Sequence, residues 1–242
     1  MFKKRGGPRH VRSADASPTD ALAQSMVGEA ETPPPDRGPY DLRHAPADVE
    51  RLDFGGLQIP AVEGVEVRVQ ANPDGAVEVI VLVEGENALQ LGVFAAPRTE
   101  GIWDEVRDEI AAAMAADGVA PKQVAGPYGI ELTARVQTPD GPADVRFVGI
   151  DGPRWMVRAL YQGPAAADPG YAGVLAQCLE GLVVARDDEA RPPREPLPLR
   201  VPKEMAEQAH LQAEQQAEQQ AAAEAEQARP GGPAPNGRRP RT

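Results

Sequence analysis

The middle of the chain carries two hydrophobic patterns, one with a period of two residues and one with helical spacing. Residues 65–69 alternate valine with polar side chains, which predicts a half-buried strand. Residues 77–83 are almost continuously apolar and rich in valine, which predicts a central strand covered on both faces. Turn-forming residues at 84–87 then lead into a third strand over 88–94.

A helix and a second set of strands follow the first three strands. Apolar residues at helical spacing predict a helix over residues 100–116, with Thr99 as its N-cap and Gly118 just past its end. An Asp-Pro pair at 168–169 opens a second predicted helix. Between the two helices, three alternating segments joined by tight turns predict three more strands: 130–136, 144–150 and 154–161.

This order of elements predicts the α+β class. Strands joined by such short turns must run antiparallel, because a parallel connection needs a crossover of a dozen or more residues. We therefore expect a single domain with a mainly antiparallel sheet of about six to seven strands and two packed helices, flanked by disordered tails.

Composition sets the expected domain boundaries. Residues 1–50 hold seven prolines and few large apolar side chains, so they predict a disordered N-terminal tail before a globular domain over 51–188. A proline-rich linker is expected at 189–202. Residues 203–229 are rich in alanine, glutamine and glutamate and predict a solvated helix, with a partner-docking helix as the alternative. Residues 230–242 predict a disordered basic C-terminus.

Charge and cysteine content narrow the possible partners and location. The chain has a net charge of −12, and residues 51–188 contain 21 acidic and 10 basic side chains. This acidity disfavours nucleic acid as a partner of the folded domain. No apolar run is long enough to span a membrane, and no apolar segment follows the basic start as in a secretory signal. With a single cysteine, these features predict a cytoplasmic protein.

The residue inventory of the domain disfavours most catalytic machinery. Residues 51–188 contain no histidine and no serine. A Ser–His–Asp triad, a Cys–His pair or a histidine-ligated metal site therefore cannot be built from the domain. The glycine-rich motifs that bind nucleotide phosphates are also missing. We assign no catalytic residue, metal ligand or cofactor, and this inventory leans against an enzyme.

Two carboxylate pairs on the first predicted helix support an alternative. Asp104 with Asp108, and Glu105 with Glu109, are spaced four residues apart and could bind Mg²⁺ or act as acid and base. They also lie opposite the apolar stripe, where an ordinary solvated helix face explains them more simply. Cys178 falls on the apolar stripe of the second helix, which favours a core residue over a reactive thiol.

The segment 151–158 is the densest candidate for binding. Alternation predicts Arg154 and Arg158 on one face of a strand and Trp155 on the other. Two arginines among apolar residues suit an anion or a partner's carboxylate, whereas the alternative is that they pair with neighbouring acids. We therefore expect either an unknown protein or an anionic ligand as the partner.

Three sequence blocks resemble an uncharacterised actinobacterial family, a domain of unknown function. They are Arg51–Pro60, which contains DFGGLQIP, then Gly101–Arg107, and Gly149–Trp155, which contains DGPRW. The resemblance covers roughly residues 45–200 and implies no activity and no catalytic residue. Members are often encoded beside the gene for deoxyuridine triphosphate nucleotidohydrolase, which hints at nucleotide metabolism. The element order also resembles the Mog1/PsbP-like fold, whose members are mostly small binding or accessory proteins.

These observations favour a non-enzymatic cytoplasmic binding or accessory module. The alternative is a carboxylate- or Mg²⁺-dependent enzyme that acts on a nucleotide or a related metabolite. The residue inventory separates the two, because it removes the common nucleophiles and bases while leaving arginines suited to recognition.

Overall fold

The computed structural model describes residues 36–72, 76–203, 205–208, 211, 215–216 and 219. Within them the protein is α+β, as predicted, with a seven-stranded antiparallel sheet and a four-stranded mixed sheet. The predicted disordered stretch 1–35, most of the predicted Ala/Gln/Glu helix and the basic C-terminus lie outside the described residues. No helix in the described part is long and apolar enough to cross a membrane.

The strands of the described part are numbered in chain order: β1 (Tyr40–Asp41), β2 (Arg51–Asp53), β3 (Leu57–Pro60), β4 (Glu66–Ala71), β5 (Val77–Glu84), β6 (Asn87–Ala95), β7 (Lys122–Gly126), β8 (Gly129–Thr138), β9 (Gly141–Gly152), β10 (Trp155–Gln162) and β11 (Val183–Val184). The α-helices are α1 (Trp103–Ala116), α2 (Pro164–Ala167) and α3 (Gly173–Gly181), and residues 205–208 are also helical. Two 3-10 helices are Leu42–His44 and Pro169–Tyr171.

The large sheet joins two meanders at its centre. Its order is β4-β5-β6-β10-β9-β8-β7, and all neighbouring strands are antiparallel. The meanders β4–β6 and β7–β10 meet where β6 pairs with β10, from Ala95 opposite Trp155 to Ala88 opposite Gln162. The hydrophobic pattern misses β7, because this edge strand carries Val124 as its one large apolar residue.

One face of the large sheet carries the main core. Trp155, Val157, Ala159 and Tyr161 of β10 lie on this face and are each at most 4% exposed, which confirms the predicted alternation. The buried residues of α3 and of the small sheet belong to the same apolar cluster. The core therefore lies between the β4, β5, β6 and β10 part of the large sheet and the layer formed by α3 and the small sheet.

Helix α1 packs on the opposite face, over β8 and β9. The ring of Trp103 lies where Gly149 has no side chain, since a Cβ at that glycine would come within 1.9 Å of the ring. The indole Nε1 donates a hydrogen bond to the Ile130 carbonyl at 2.7 Å. Glycine at position 149 is therefore a packing requirement of this helix.

The N-terminus of α1 is capped from a distant strand. Thr99 is not its N-cap, which corrects the sequence prediction, because α1 begins at Trp103 and the N-cap residue is Ile102. The Asp151 carboxylate, at the end of β9, accepts hydrogen bonds from the backbone N–H of Ile102 at 2.9 Å and of Trp103 at 3.2 Å. At the other end Gly118 follows the C-cap with a φ of +79°, as predicted.

The second predicted helix is broken into short pieces. Asp168 does not open a continuous helix; its side chain instead accepts from the Gly170 N–H at 2.8 Å and caps a 3-10 turn. Helix α3 begins afterwards at Gly173, whose φ is +37°. The two glycines weaken helical continuity at this point, because glycine loses more backbone entropy in a helix than other residues.

The segment from residue 36 to residue 50, predicted as part of a disordered tail, contains regular structure. Strand β1 pairs in parallel with β11, and the Tyr40 N–H donates to the Leu182 carbonyl at 2.8 Å. Gly38 packs against helix α3, since a Cβ there would come within 2.1 Å of the Glu180 carbonyl oxygen. Composition misplaces this boundary because the segment is held by backbone pairing and close approach rather than by large apolar side chains.

Residues 194–200, here called the strap, fall within the linker that composition predicts at 189–202, but they pair with strands of the large sheet. The Leu197 N–H donates to the Val93 carbonyl at 2.9 Å, and the Ala95 N–H donates to the Glu195 carbonyl at 2.8 Å. Leu197 is 4% exposed within the main core. Pro196 and Pro198 flank this residue, at positions that do not supply the N–H bonded to β6.

The Asp151 cap gives the first prediction. Asp151→Ala should lower the free energy of unfolding by about 1–2 kcal/mol, because two N–H groups at the start of α1 lose their acceptor. Chemical denaturation followed by circular dichroism measures this change. Asp140→Ala, an exposed acid in the β8–β9 turn, is the matched control and should leave the unfolding midpoint unchanged. Equal midpoints for both variants would contradict the cap.

The strap gives the second prediction. Leu197→Ala should lower the free energy of unfolding by about 2–5 kcal/mol, through lost burial and the cavity left in the core. Leu211→Ala is the control, because Leu211 is 56% exposed and should change stability by less than about 0.5 kcal/mol. A Leu197→Ala protein with the wild-type urea midpoint would instead favour the passive linker that composition predicts.

Candidate functional site

Arg158 is placed in β10, on the face of the large sheet opposite the main core. Its cross-strand neighbours are Gly92 in β6 and Gly149 in β9. The guanidinium lies over the Phe94 ring, 5.1 Å from its centroid, and burial lowers the pKa of Arg158. In the described part of the chain this side chain has no ion pair and no hydrogen bond. Arg158 is thus a half-buried cation without a counter-ion there.

Half-buried apolar side chains lie on the same sheet face as this arginine. Five half-buried residues share its sheet face and belong to neither apolar core cluster: Val79, Val81, Val83, Phe147 and Leu160. Cross-strand pairing links them, since Leu160 is opposite Phe147 on one side and Gln90 on the other. We call Arg158 and these five residues the open face. It combines apolar area with one positive charge that has no ion pair among the described residues.

Arg154 is in a different setting from Arg158. β10 begins at Trp155, so Arg154 lies in the preceding hairpin turn rather than in the strand, with a φ of +65°. Its guanidinium is 4.0 Å from the exposed carboxylate of Asp188. This corrects the expectation that both arginines lie side by side on one strand face. Alternation cannot be extended through a residue whose backbone is left-handed.

The first carboxylate pair on α1 is already engaged. The Arg107 Nη1 is 2.5 Å from Asp104 Oδ1, and Nη2 is 3.4 Å from Asp108 Oδ1. Arg107 itself is 8% exposed, so its guanidinium is held along the helix surface between the two acids. Asp104 and Asp108 therefore lie on the exposed side of α1, where Arg107 bridges them.

The second pair is bound by the strap. Arg194 lies 2.6 Å from Glu105 and 2.7 Å from Glu109, and these contacts tie the strap to α1. The described residues contain no group of three or more histidine, cysteine or acidic side chains arranged to hold a metal ion. The four helix acids therefore have an observed role in ion pairs, which supports the solvated-face interpretation.

Cys178 is completely buried on α3. Burial raises the pKa of its thiol to about 11, so the reactive thiolate is suppressed at neutral pH. The side chain belongs to the main apolar cluster. This placement agrees with the expected core role of the residue.

Packing explains the positions of the three sequence blocks that resemble the uncharacterised family. The Gly101–Arg107 and Gly149–Trp155 blocks meet where Asp151 caps α1 and the Trp103 ring covers Gly149. In the first block, the Gly56 N–H donates to the Pro198 carbonyl at 3.2 Å, so this block binds the strap. The residues of these blocks therefore hold helix α1, the large sheet and the strap against one another. Within the described residues the blocks do not come together to form one site.

Sequence reasoning missed a buried ion pair in the large sheet. Glu131 and Arg146 are 3% and 4% exposed, and their closest nitrogen and oxygen are 3.6 Å apart. The guanidinium also donates to the Ala165 carbonyl and, at 3.2 Å, to the Ala166 carbonyl. It lies 5.6 Å from the Tyr161 ring centroid. Burial raises the pKa of Glu131, and the nearby guanidinium offsets part of that effect.

A weak signal for this pair exists in the strand pattern. Arg146 has the same parity in β9 as Val148, which is buried in the core, so alternation places an arginine on a covered face. The alternation over residues 130–136 places Glu131 on the polar side of its strand. Polarity alone misleads here, because α2 and the β7–β8 hairpin cover that side at this point.

The comparisons with known proteins give a family but no activity. A search of curated proteins finds none that matches this chain. The model of one protein family matches residues 38–208, and its description is protein of unknown function (DUF3710). The matched segment includes β1 and the strap, in agreement with the structural boundaries. It also confirms the expected resemblance to an uncharacterised family, and the chain belongs to the DUF3710 family of proteins of unknown function.

Proposed function

We propose that this protein is a non-enzymatic cytoplasmic binding module that holds a partner protein on the open face. The observation that carries the proposal is Arg158, a half-buried cation that has no counter-ion among the described residues. The low cysteine content and the missing catalytic side chains in residues 51–188 support the non-enzymatic and cytoplasmic parts of the proposal.

The physical basis is the desolvation of the guanidinium. Burial removes water from Arg158, and the Phe94 ring replaces only part of that hydration. A carboxylate from a partner would form charge-assisted hydrogen bonds in this partly dry setting, where such bonds are strongest. The surrounding valine, leucine and phenylalanine side chains would add apolar burial. The expected partner segment carries one acidic residue among apolar ones.

Overall charge sets a further requirement on this partner. Residues 51–188 contain 21 acidic and 10 basic side chains, so the domain repels strongly acidic surfaces. A partner that is acidic only at the point facing Arg158 avoids this repulsion. The open face therefore favours a specific local contact over general electrostatic attraction.

The enzyme alternative has less support from the same residues. A carboxylate- or Mg²⁺-dependent reaction on a nucleotide was suggested by the acids of α1, and these acids pair with Arg107 and Arg194. We therefore place binding ahead of catalysis. Arg154 stays in the proposal as a flanking contact, because it is 30% exposed in the turn next to β10.

The third prediction tests Arg158 directly. Full-length protein is crosslinked and purified from cells that naturally produce it, and bound proteins are quantified by mass spectrometry. Arg158→Gln should reduce recovery of a specific partner at least about tenfold, since a charge-assisted hydrogen bond contributes about 1.5–3 kcal/mol. Arg154→Gln should reduce it less, because this side chain flanks the surface.

The control is Arg135→Gln, which changes an exposed strand arginine on the opposite face of the sheet. This variant should retain the partner. The free energy of unfolding of Arg158→Gln should change by less than about 1 kcal/mol, as for side chains outside the core. If Arg158→Gln unfolds early and still retains every partner, Arg158 is structural and the proposal fails.

A further inference from the structure

A cavity of about 620 Å³ lies on the sheet face opposite the open face, beside strands β7, β8 and β9. Cross-strand pairing places three of its residues in one row, because Lys122 is opposite Thr133 and Thr133 is opposite Arg146. Ala166 and Ala167 of α2 form a wall of small side chains. The volume lies within the range of about 300–1,000 Å³ that is usual for small-molecule sites.

The buried ion pair forms part of the wall of this cavity. Glu131 and Arg146 line it, and they also line a second, smaller cavity of about 100 Å³ beside Tyr128 and Tyr161. The Tyr128 hydroxyl is buried and has no hydrogen-bond partner among the described residues. The pair is rigid, because the Arg146 guanidinium is also bound to two backbone carbonyls of α2.

Two further cations, Lys122 and Arg135, line the cavity. The side chains of Lys122 and Arg135 have no ion pair, hydrogen bond or ring contact within the described residues. Lys122 is the only lysine in residues 51–188 of an acidic chain. With Arg146, the cavity lining holds three cations against the two acids Glu131 and Asp144. Its net charge is therefore opposite in sign to that of the protein.

We infer that this cavity binds a small anionic metabolite through a carboxylate or phosphate group held by Lys122 and Arg135. Both side chains are exposed and have no ion pair or hydrogen bond within the described residues, so they can close on an anion. Arg146 adds positive potential from a fixed position, while Glu131 keeps its guanidinium turned inward. The ligand chemistry is distinct from the protein partner proposed for the open face.

The experiment uses the full-length protein and four defined probes at constant ionic strength. Inorganic phosphate, succinate and adenosine 5′-monophosphate test phosphate, carboxylate and a phosphate on an organic group, and glucose is the neutral control. Thermal unfolding is measured against probe concentration, because a ligand that binds only the native state raises the unfolding temperature. At least one anion should stabilise the protein below 10 mM, with about that concentration as the upper limit for a specific site, and glucose should not.

The variants identify the site. Lys122→Gln with Arg135→Gln should weaken binding of the stabilising anion at least about tenfold, as expected for the loss of charge-assisted contacts. Arg158→Gln is the matched control and should bind it as the wild type does, so failure here is separate from failure of the partner site. If the double variant unfolds early, two other measurements replace it. One is anion binding by Arg135→Gln alone, and the other is the set of backbone amide NMR shifts of the wild type when the anion is titrated in.

Any of three results would overturn the inference. The first is that none of the three anions stabilises the wild type. The second is that the double variant is stabilised as strongly as the wild type. The third is that the shifted amides lie away from β7 and β8, which would place the anion elsewhere. Stabilisation by phosphate and adenosine monophosphate alone would identify a phosphate site, and stabilisation by succinate alone would identify a carboxylate site.

Discussion

The pairing of β6 with β10 is the interaction on which the rest of the structure depends. Eight consecutive residue pairs join these strands, and the paired residues lie from 60 (Ala95 and Trp155) to 74 (Ala88 and Gln162) positions apart along the chain. The pairing turns two locally formed meanders into one sheet of seven strands. It also sets Trp155, Val157 and Tyr161 against the layer formed by α3 and the small sheet. Both proposed binding surfaces are consequences of how the faces of this joined sheet are covered.

Different parts of the large sheet are covered on its two faces. The layer with α3 covers one face over β4, β5, β6 and β10, whereas α1 covers the other face over β8 and β9. The open face with Arg158 lies at β5, β6 and β10, on the side that α1 occupies over β8 and β9, and outside both apolar clusters of the described residues. The area beside β7 to β9 holds the cavity with Lys122, Arg135 and the buried Glu131–Arg146 pair. A sheet wider than the elements packed on it leaves such areas, and here each contains at least one cation that has no ion pair among the described residues.

Arginine has several separate roles in this acidic protein. Arg107 and Arg194 bridge helix carboxylates, and Arg146 binds two carbonyls beside Glu131. In contrast, Arg158 and Arg135 form no ion pair within the described residues, although Asp144 lies opposite Arg135 across β8 and β9. Residue type alone therefore cannot identify a binding arginine. The useful distinction is whether the fold already satisfies the guanidinium, and this is decided by the surroundings of each side chain.

By itself, the sequence determined the strands of the large sheet except β7, the helix α1 and the inward position of Trp155. These features follow from local periodicity, because side-chain polarity repeats with the period of the backbone. Only the tertiary structure decided that Asp151 caps α1, that the strap joins the core through Leu197, and that Glu131 is buried beside Arg146. Each of these depends on a backbone or side-chain partner that is distant along the chain. Local composition does not identify that partner. A proline-rich segment or a polar strand face has the same sequence pattern whether or not another element covers it in the fold.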